Sequence, residues 1–188
     1  MSEFYIIKPA VDTKETGNVF PAVESYDDYD FDSFNSVHKL TFREFPDFQP
    51  DIRFKLAKGA KLCDVMGQAT ISAHGLLISK NAKEIFSQIN IAPHMFYPSY
   101  IEDHKGNIHN YYWMHLVWKD ITKCISYQNS SFYKRKFSNN LGELRIDSDQ
   151  QFWEVKKELN SRYMIGINNI QFEKGIDFHL FPLSLIHI

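Results

Sequence analysis

The hydrophobic positions change rhythm several times along the chain. Phe4-Tyr-Ile-Ile7 is a short β-rich run closed by Pro9 and predicts a first strand. Residues 10–35 then hold no sustained period. Gly17, Pro21 and the stretch Glu24-Ser-Tyr-Asp-Asp-Tyr-Asp-Phe-Asp32 mark a long irregular arm, and a connection of that length is usually functional or mobile. From 36 to 56, Pro46 and Pro50 exclude one long helix, while Ile52, Phe54 and Leu56 alternate with Arg53 and Lys55 and predict a strand with one wet face. Lys61-Leu-Cys-Asp-Val-Met66, stopped by Gly67, predicts a short helix, and Leu76-Leu-Ile78 a compact strand. Ser79 or Asn81 stands where it could cap a helix over 81–90, because Ala82, Ile85, Phe86 and Ile89 recur at i, i+3, i+4 and i+7. The Asn81 option places Glu84 at the third helical position, as in a capping box, and Asn90 would stop the helix.

Further on, Met95-Phe-Tyr97 and Tyr100-Ile101 read as extended on either side of Pro98. Asp103-His-Lys-Gly-Asn107 is a strong turn signal between two aromatic runs and predicts a hairpin. Its second arm, Tyr111 to Trp118, is apolar at both parities, the pattern of an interior strand covered on both faces. Ile121 to Tyr127 is expected to continue the sheet, and within the polar, basic residues 128–140 the triplet Lys134-Arg-Lys136 is expected to be a solvated loop. Asp147 or Ser148 starts a helix over roughly 149–160, with Phe152, Val155 and Leu159 on one face. Met164–Phe172 and Phe178–Ile188 read as two late strands. The class is therefore α+β: a central, mostly antiparallel sheet with a few helices and a long irregular N-terminal arm, in a single domain spanning 1–188.

Composition narrows the function. An apolar fraction of 44% and a charged fraction of 23% are those of a soluble protein. The aromatic fraction of 15% is high and calls for a large core or an aromatic contact surface. With 21 basic and 23 acidic side chains the net charge is −2, so nothing global draws the chain to nucleic acid or to an anionic membrane. The charge is uneven, since residues 24–32 carry five acids and no base. Cys63 and Cys124 lie far apart in apolar surroundings, as do half-buried free thiols in a reducing cytosol. The opening residues lack a basic stretch followed by a long apolar run, and no apolar run approaches a membrane span. The expected place is the cytoplasm.

Candidate chemistry is sparse. Phosphate-binding glycine loops, nucleophile elbows, His-Glu-x-x-His and Cys-x-x-Cys motifs are all absent from the sequence. His104, His109 and His115 gather near Asp103, but without a cysteine or further carboxylate they fall short of a zinc pattern. His115 lacks an orienting carboxylate on its own strand parity, Asp120 being on the other, and reads as a core residue between Trp113 and Val117. Neither cysteine has a recognisable base beside it. Lys134-Arg-Lys136 is a lone basic triplet in an acidic protein, which reads as solvated rather than as a nucleic-acid contact. No catalytic, cofactor-binding or metal-ligating residue is assigned, and no cofactor is expected.

The acidic arm remains. Its carboxylates suit a basic partner and would speed encounter, while its rings would supply anchors. The expected contacts are Tyr26, Tyr29 and Phe31 as anchors and Asp27, Asp28, Asp30 and Asp32 as steering charges. Glu102 and Asp103, in the 102–109 turn, are a second expected contact.

The middle of the chain resembles a large bacterial family. The residues that carry the likeness are Lys61-Leu-Cys-Asp-Val-Met66, Leu76-Leu-Ile-Ser-Lys-Asn-Ala-Lys-Glu-Ile-Phe86, Ile91-Ala-Pro-His-Met-Phe-Tyr-Pro98, Tyr111-Tyr-Trp-Met-His115, and Cys124 through Ser130-Ser-Phe132. They look like the strand, serine-capped helix and aromatic strands of the immunity proteins of polymorphic toxin systems, the eleventh family of that series or a close sister. The likeness covers roughly 54–137. In that family a capped helix and a last strand are expected after the Phe178–Leu185 region, where this sequence ends at Ile188. The resemblance implies a cytoplasmic protein that binds and neutralises one cognate toxin domain, by stoichiometric occlusion; no enzymatic activity and no nucleic-acid or membrane partner is expected, and homodimerisation is left open. The alternatives are an enzyme that reverses a toxin's modification and a homo-oligomeric adaptor.

Overall fold

The computed structural model describes residues 9–11, 13–117, 121–159 and 162–173. They fall into two compact units, Met1–Val117 and Trp118–Ile188. The predicted strands Phe4–Ile7 and Phe178–Ile188 lie outside the described residues.

The first unit is built on a six-stranded sheet of β1 (Val23–Glu24), β2 (Arg53–Leu56), β3 (Val65–Met66), β4 (Gly75–Ser79), β5 (His94–Glu102) and β6 (Ile108–Leu116), in the order β1-β2-β5-β6-β4-β3. All pairings are antiparallel except β2 with β5. Helix α1 (Lys80–Phe86) follows β4 and packs against β4 and β6. The α+β class with a mostly antiparallel sheet is what the alternation of strand-like and helix-like segments predicts.

One face of the sheet is dry. Across it run Val23, Phe54, Ile101, Trp113, Leu77 and Met66, each no more than 1% exposed. Ala22 and Tyr29 of the irregular arm, and Val37 and Leu40 just after it, join the same buried cluster. The long arm thus has little regular structure of its own but completes the core. β6 sits in the middle of the sheet, and every described residue from Trp113 to Val117 is buried, as two-sided apolarity predicts. Gly75 is dictated by close approach, since a Cβ there would lie 2.2 Å from the Met114 carbonyl oxygen and 2.7 Å from the Trp113 ring.

Pro98 does not divide β5, which runs unbroken for nine residues. Asp103 N–H to Asn107 C=O and Val117 N–H to Pro93 C=O place the hydrogen-bonded pairs of this hairpin at odd positions of β5. Position 98 therefore faces away from β6, on the flank where β2, which starts pairing at Tyr100, has not begun. A missing N–H costs nothing there.

Two local expectations in this unit are corrected. Residues 61–66 form no helix, because tertiary partners take their backbone groups: Lys61 N–H donates to Thr16 C=O at 3.0 Å, the Tyr111 hydroxyl donates to Cys63 C=O at 2.9 Å, and Val65 and Met66 pair with Ile78 and Leu77. Helix α1 starts at Lys80 with Ser79 as its cap, the Ser79 hydroxyl oxygen accepting Ala82 N–H at 3.2 Å, and it ends at Phe86, before Asn90. Of the predicted apolar stripe only Ala82 is buried, and Ile85 is 65% exposed.

The second unit carries a three-stranded antiparallel sheet, β7 (Ser131–Lys136), β8 (Asn139–Leu144) and β9 (Met164–Asn169), in the order β8-β7-β9, with α2 (Asp149–Leu159) before β9. Its core centres on Tyr127, Phe132 and Phe152, whose ring centroids lie 5.9–6.4 Å apart. Ser148 begins α2 as predicted, its hydroxyl accepting Gln151 N–H at 3.2 Å. Ile121–Tyr127 does not extend a sheet. It forms 3₁₀ turns at Ile121–Cys124 and Tyr127–Asn129, with the Tyr127 hydroxyl closing onto Thr122 C=O at 2.9 Å. Short apolar runs do not distinguish strand from tight turn. The basic run 131–136 is a strand and not a loop: Phe132 is its buried side chain, and the Lys134 and Lys136 ammonium groups lie over the Tyr163 ring.

A candidate partner-binding surface

The β5–β6 hairpin is closed by one carboxylate. Asp103 accepts the Lys105 and Asn107 N–H groups at 2.8 and 2.9 Å, the Asn107 side-chain amide at 3.0 Å and His109 Nε2 at 3.0 Å. Gly106, at φ 80°, supplies the left-handed residue that the turn needs. The His109 bond, followed by those from Asn107, holds the Asp103 carboxyl well below the usual carboxylate range.

The arm meets this hairpin. β1 pairs with β2, Val23 opposite Leu56 and Glu24 opposite Lys55, and the chain then passes Arg53. Tyr26 donates its hydroxyl to Glu102 at 2.6 Å, and its ring meets Tyr100 edge-on at 6.3 Å. The Arg53 guanidinium and the Lys55 ammonium lie 5.5 and 5.0 Å from the Tyr26 ring centroid. Burial, and then the bond to Glu102, pushes the Tyr26 phenol well above its usual range, so it stays a donor. The two segments singled out in the sequence, the 24–32 stretch and the 102–109 turn, therefore lie together on one surface. Beside them opens a shallow cleft of about 280 Å³ lined by Glu24, Lys55, Lys58, Glu102, Asp103 and His104, among others.

The structure divides the sequence-chosen residues. Tyr29 is 7% exposed; its hydroxyl donates to Asp51 C=O at 2.7 Å and accepts Val37 N–H at 2.9 Å. It is a fold residue, as Asp103 is in the turn, and neither offers a free polar group. Phe31 stacks on His38 with centroids 4.4 Å apart and lies at the surface. Asp27, Asp28, Asp30 and Asp32 are all exposed. Asp27 pairs with Lys55 at 3.3 Å, and Asp30 accepts Asp32 N–H at 3.0 Å. Sequence reasoning missed Phe34, 77% exposed at the end of the same stretch, and the countercharges Arg53 and Lys55. Phe34 had a signal, a ring among Asp32, Ser33 and Asn35; the countercharges had none, because only strand pairing brings β2 beside the arm.

The histidine of β6 is elsewhere and closed off. His115 is fully buried, its Nε2–H donates to Thr41 C=O at 2.7 Å, and Phe45 meets the ring edge-on at 5.5 Å. Burial pushes its pKa down, and its Nδ1 has no hydrogen-bond partner among the described residues. Fully buried and bonded to a backbone carbonyl, the His115 ring is not placed to meet a substrate. Cys63 and Cys124 are half-buried, and burial raises the Cys63 pKa, so its reactive thiolate is disfavoured. Among the described residues no cluster of three or more His, Cys, Asp or Glu is placed to hold a metal ion, and no helix is long and apolar enough to cross a membrane.

These features define an α+β protein, with acids and rings of the arm at the surface of the first unit. The sequence profile of the Immunity protein family (Imm11) matches residues 3–158, and the chain belongs to that family. The match extends beyond the 54–137 core on which the resemblance rests and takes in the acidic arm, the β7–β8 hairpin and all but the last residue of α2. Searches of curated proteins and of solved structures each found no match.

Proposed function

We propose that this protein neutralises one cognate toxin domain by stoichiometric binding, covering the toxin's active site or a surface the toxin needs. Membership of an immunity family is the observation that carries the reading. The burial of His115 supports a binding role rather than an enzymatic one. The arm and the adjoining β5–β6 turn form the contact surface in this reading. Phe31 and Phe34 are its exposed rings, Tyr26 and Glu102 its support, and Asp27, Asp28, Asp30 and Asp32 the charges that meet a basic toxin face. A tight complex of this kind buries on the order of 1,600 Å² in total. The protein would act in the cytoplasm of the cell that encodes the toxin. Co-expression with the toxic C-terminal domain encoded by the neighbouring gene is expected to restore growth and to yield a complex of defined stoichiometry on size exclusion. Neither rescue nor a complex would overturn the proposal.

A further inference from the structure

The tip of the β7–β8 hairpin breaks two rules of economy at once. Phe137 is the one non-glycine residue with positive φ among the described residues, at 52°, and it is 76% exposed. Asparagine or glycine takes the left-handed turn position with less strain, and an exposed phenylalanine buries nothing in return. The turn is nevertheless held in place. Arg135 Nε donates to the Phe137 carbonyl. Lys134 and Lys136 lie with Nζ 4.0 and 5.9 Å from the Tyr163 ring centroid, so their long stems are ordered along the hairpin. The outer strand β8 is exposed from Asn139 to Glu143, with Leu141 at 50%.

The result is an exposed hairpin tip: one solvent-facing ring at the end of a strand that carries Lys134, Arg135 and Lys136. Its charge is opposite to that of the arm. The segment 118–188 holds 10 basic and 8 acidic residues, whereas 1–117 holds 11 and 15. A single-stranded nucleic acid needs a cationic groove with several rings on which successive bases stack. Here one free ring stands on a point, and Tyr163 is already covered by lysines. An exposed ring at a hairpin tip fits a concave protein pocket, and the cations of the strand behind it fit an acidic rim.

We propose that the β7–β8 tip is a second docking element, in which Phe137 plugs an apolar-floored, acid-rimmed pocket of the toxin domain and Lys134, Arg135 and Lys136 meet the rim. This rests on the reading that the partner is a toxin domain. It gives the protein two contacts of opposite charge, an acidic arm and a basic plug.

The test uses the full chain and the C-terminal domain encoded by the neighbouring gene, with binding followed by calorimetry and surface kinetics. Phe137→Gly removes the ring and relieves the left-handed φ, so the melting temperature is expected to hold or rise while affinity falls about tenfold or more, mostly through faster dissociation. Lys134→Glu with Lys136→Glu is expected to slow association. Phe137→Asn, which also tolerates the φ, separates loss of the ring from any change in the turn and is expected to bind as weakly as Phe137→Gly. If the wild type binds and all three variants bind equally well, the plug is overturned while the toxin-binding reading stands. If the wild type does not bind that domain, both fail. If instead a single-stranded oligonucleotide binds the wild type and is released by Phe137→Gly, the tip reads nucleic acid and the protein-pocket proposal is overturned.

Discussion

Strand β6 and the acidic arm are both crowded with rings, and they use them in opposite ways. In β6, Tyr111, Trp113, Met114 and His115 are buried, and His115 ends on a backbone carbonyl. In the arm, Tyr29 and Tyr26 are tied inward by their hydroxyls while Phe31, Phe34 and the aspartates stay at the surface. The two segments look equally rich in chemistry when read as text. What separates them is neighbourhood: β6 has a strand on each side and a covered dry face, whereas the arm has the sheet on one side only. Density of expressive side chains therefore indicates packing at least as often as function. The useful question is which polar and aromatic groups remain once the fold has taken its share.

The comparison is broken most severely at the centre of β6. Trp113→Ala removes a side chain 1% exposed and should cost about 3–5 kcal/mol in urea unfolding. A loss below about 1 kcal/mol would show that β6 is not the mechanical centre described here. Within the arm, Tyr29→Phe and Phe34→Ala should separate fold from surface. Tyr29→Phe leaves the Asp51 carbonyl and the buried Val37 N–H without their shared partner and should cost about 1–3 kcal/mol. Phe34→Ala should leave stability within about 0.5 kcal/mol. Equal losses would erase the distinction between anchored and free rings.

Acid should weaken the β6 side first. Burial lowers the pKa of His115, and burial followed by the charge of His115 lowers that of His74. Both are held neutral in the fold, so their contribution is complete above the unfolded histidine value of about 6.5 and is lost as pH falls below it. The decline is at most about 1.4 kcal/mol per pH unit for each histidine. Asp103, whose pKa is depressed, contributes above the unfolded carboxylate value of about 3.9 and loses its contribution only below it. A denaturation midpoint that stays flat from pH 7.5 to 5 would contradict the buried neutral histidines. The smallest change in stability is expected in the arm: Asp27, Asp28, Asp30 and Asp32 changed together to Asn should move stability by no more than about 0.5 kcal/mol, because the Asp27–Lys55 pair is a surface one. Association with a basic partner should slow about tenfold at low salt and lose its salt dependence. An unchanged rate would remove steering from the arm's role.

Much of the architecture was legible in the residues. Alternation at Ile52–Leu56, double-sided apolarity at Tyr111–Val117 and the Asp103–Asn107 turn each correspond to an observed element, because each depends on local period or turn chemistry. Where reading failed, the backbone was claimed from a distance. Lys61–Met66 lost its helix to Thr16, Tyr111 and β4, and Lys134-Arg-Lys136 became a strand because Phe132 buries and β8 and β9 pair on either side. The candidate surface divides in the same way. The arm and the 102–109 turn were visible separately as acids and turn residues, but nothing in the text brought them together.

The sequence by itself thus determined the α+β class, the interior character of β6 with the demotion of His115 from acid–base candidate to core residue, and the charge of the arm. Each follows from short-range periodicity and composition, which act within a few residues. Only the tertiary structure decided that Tyr26 bonds Glu102, that Tyr29 turns inward while Phe34 stays out, and that Phe137 stands strained and exposed at the end of a basic strand. Those outcomes depend on which segments pair across the chain, and pairing is set by the sum of many weak contacts rather than by any local motif.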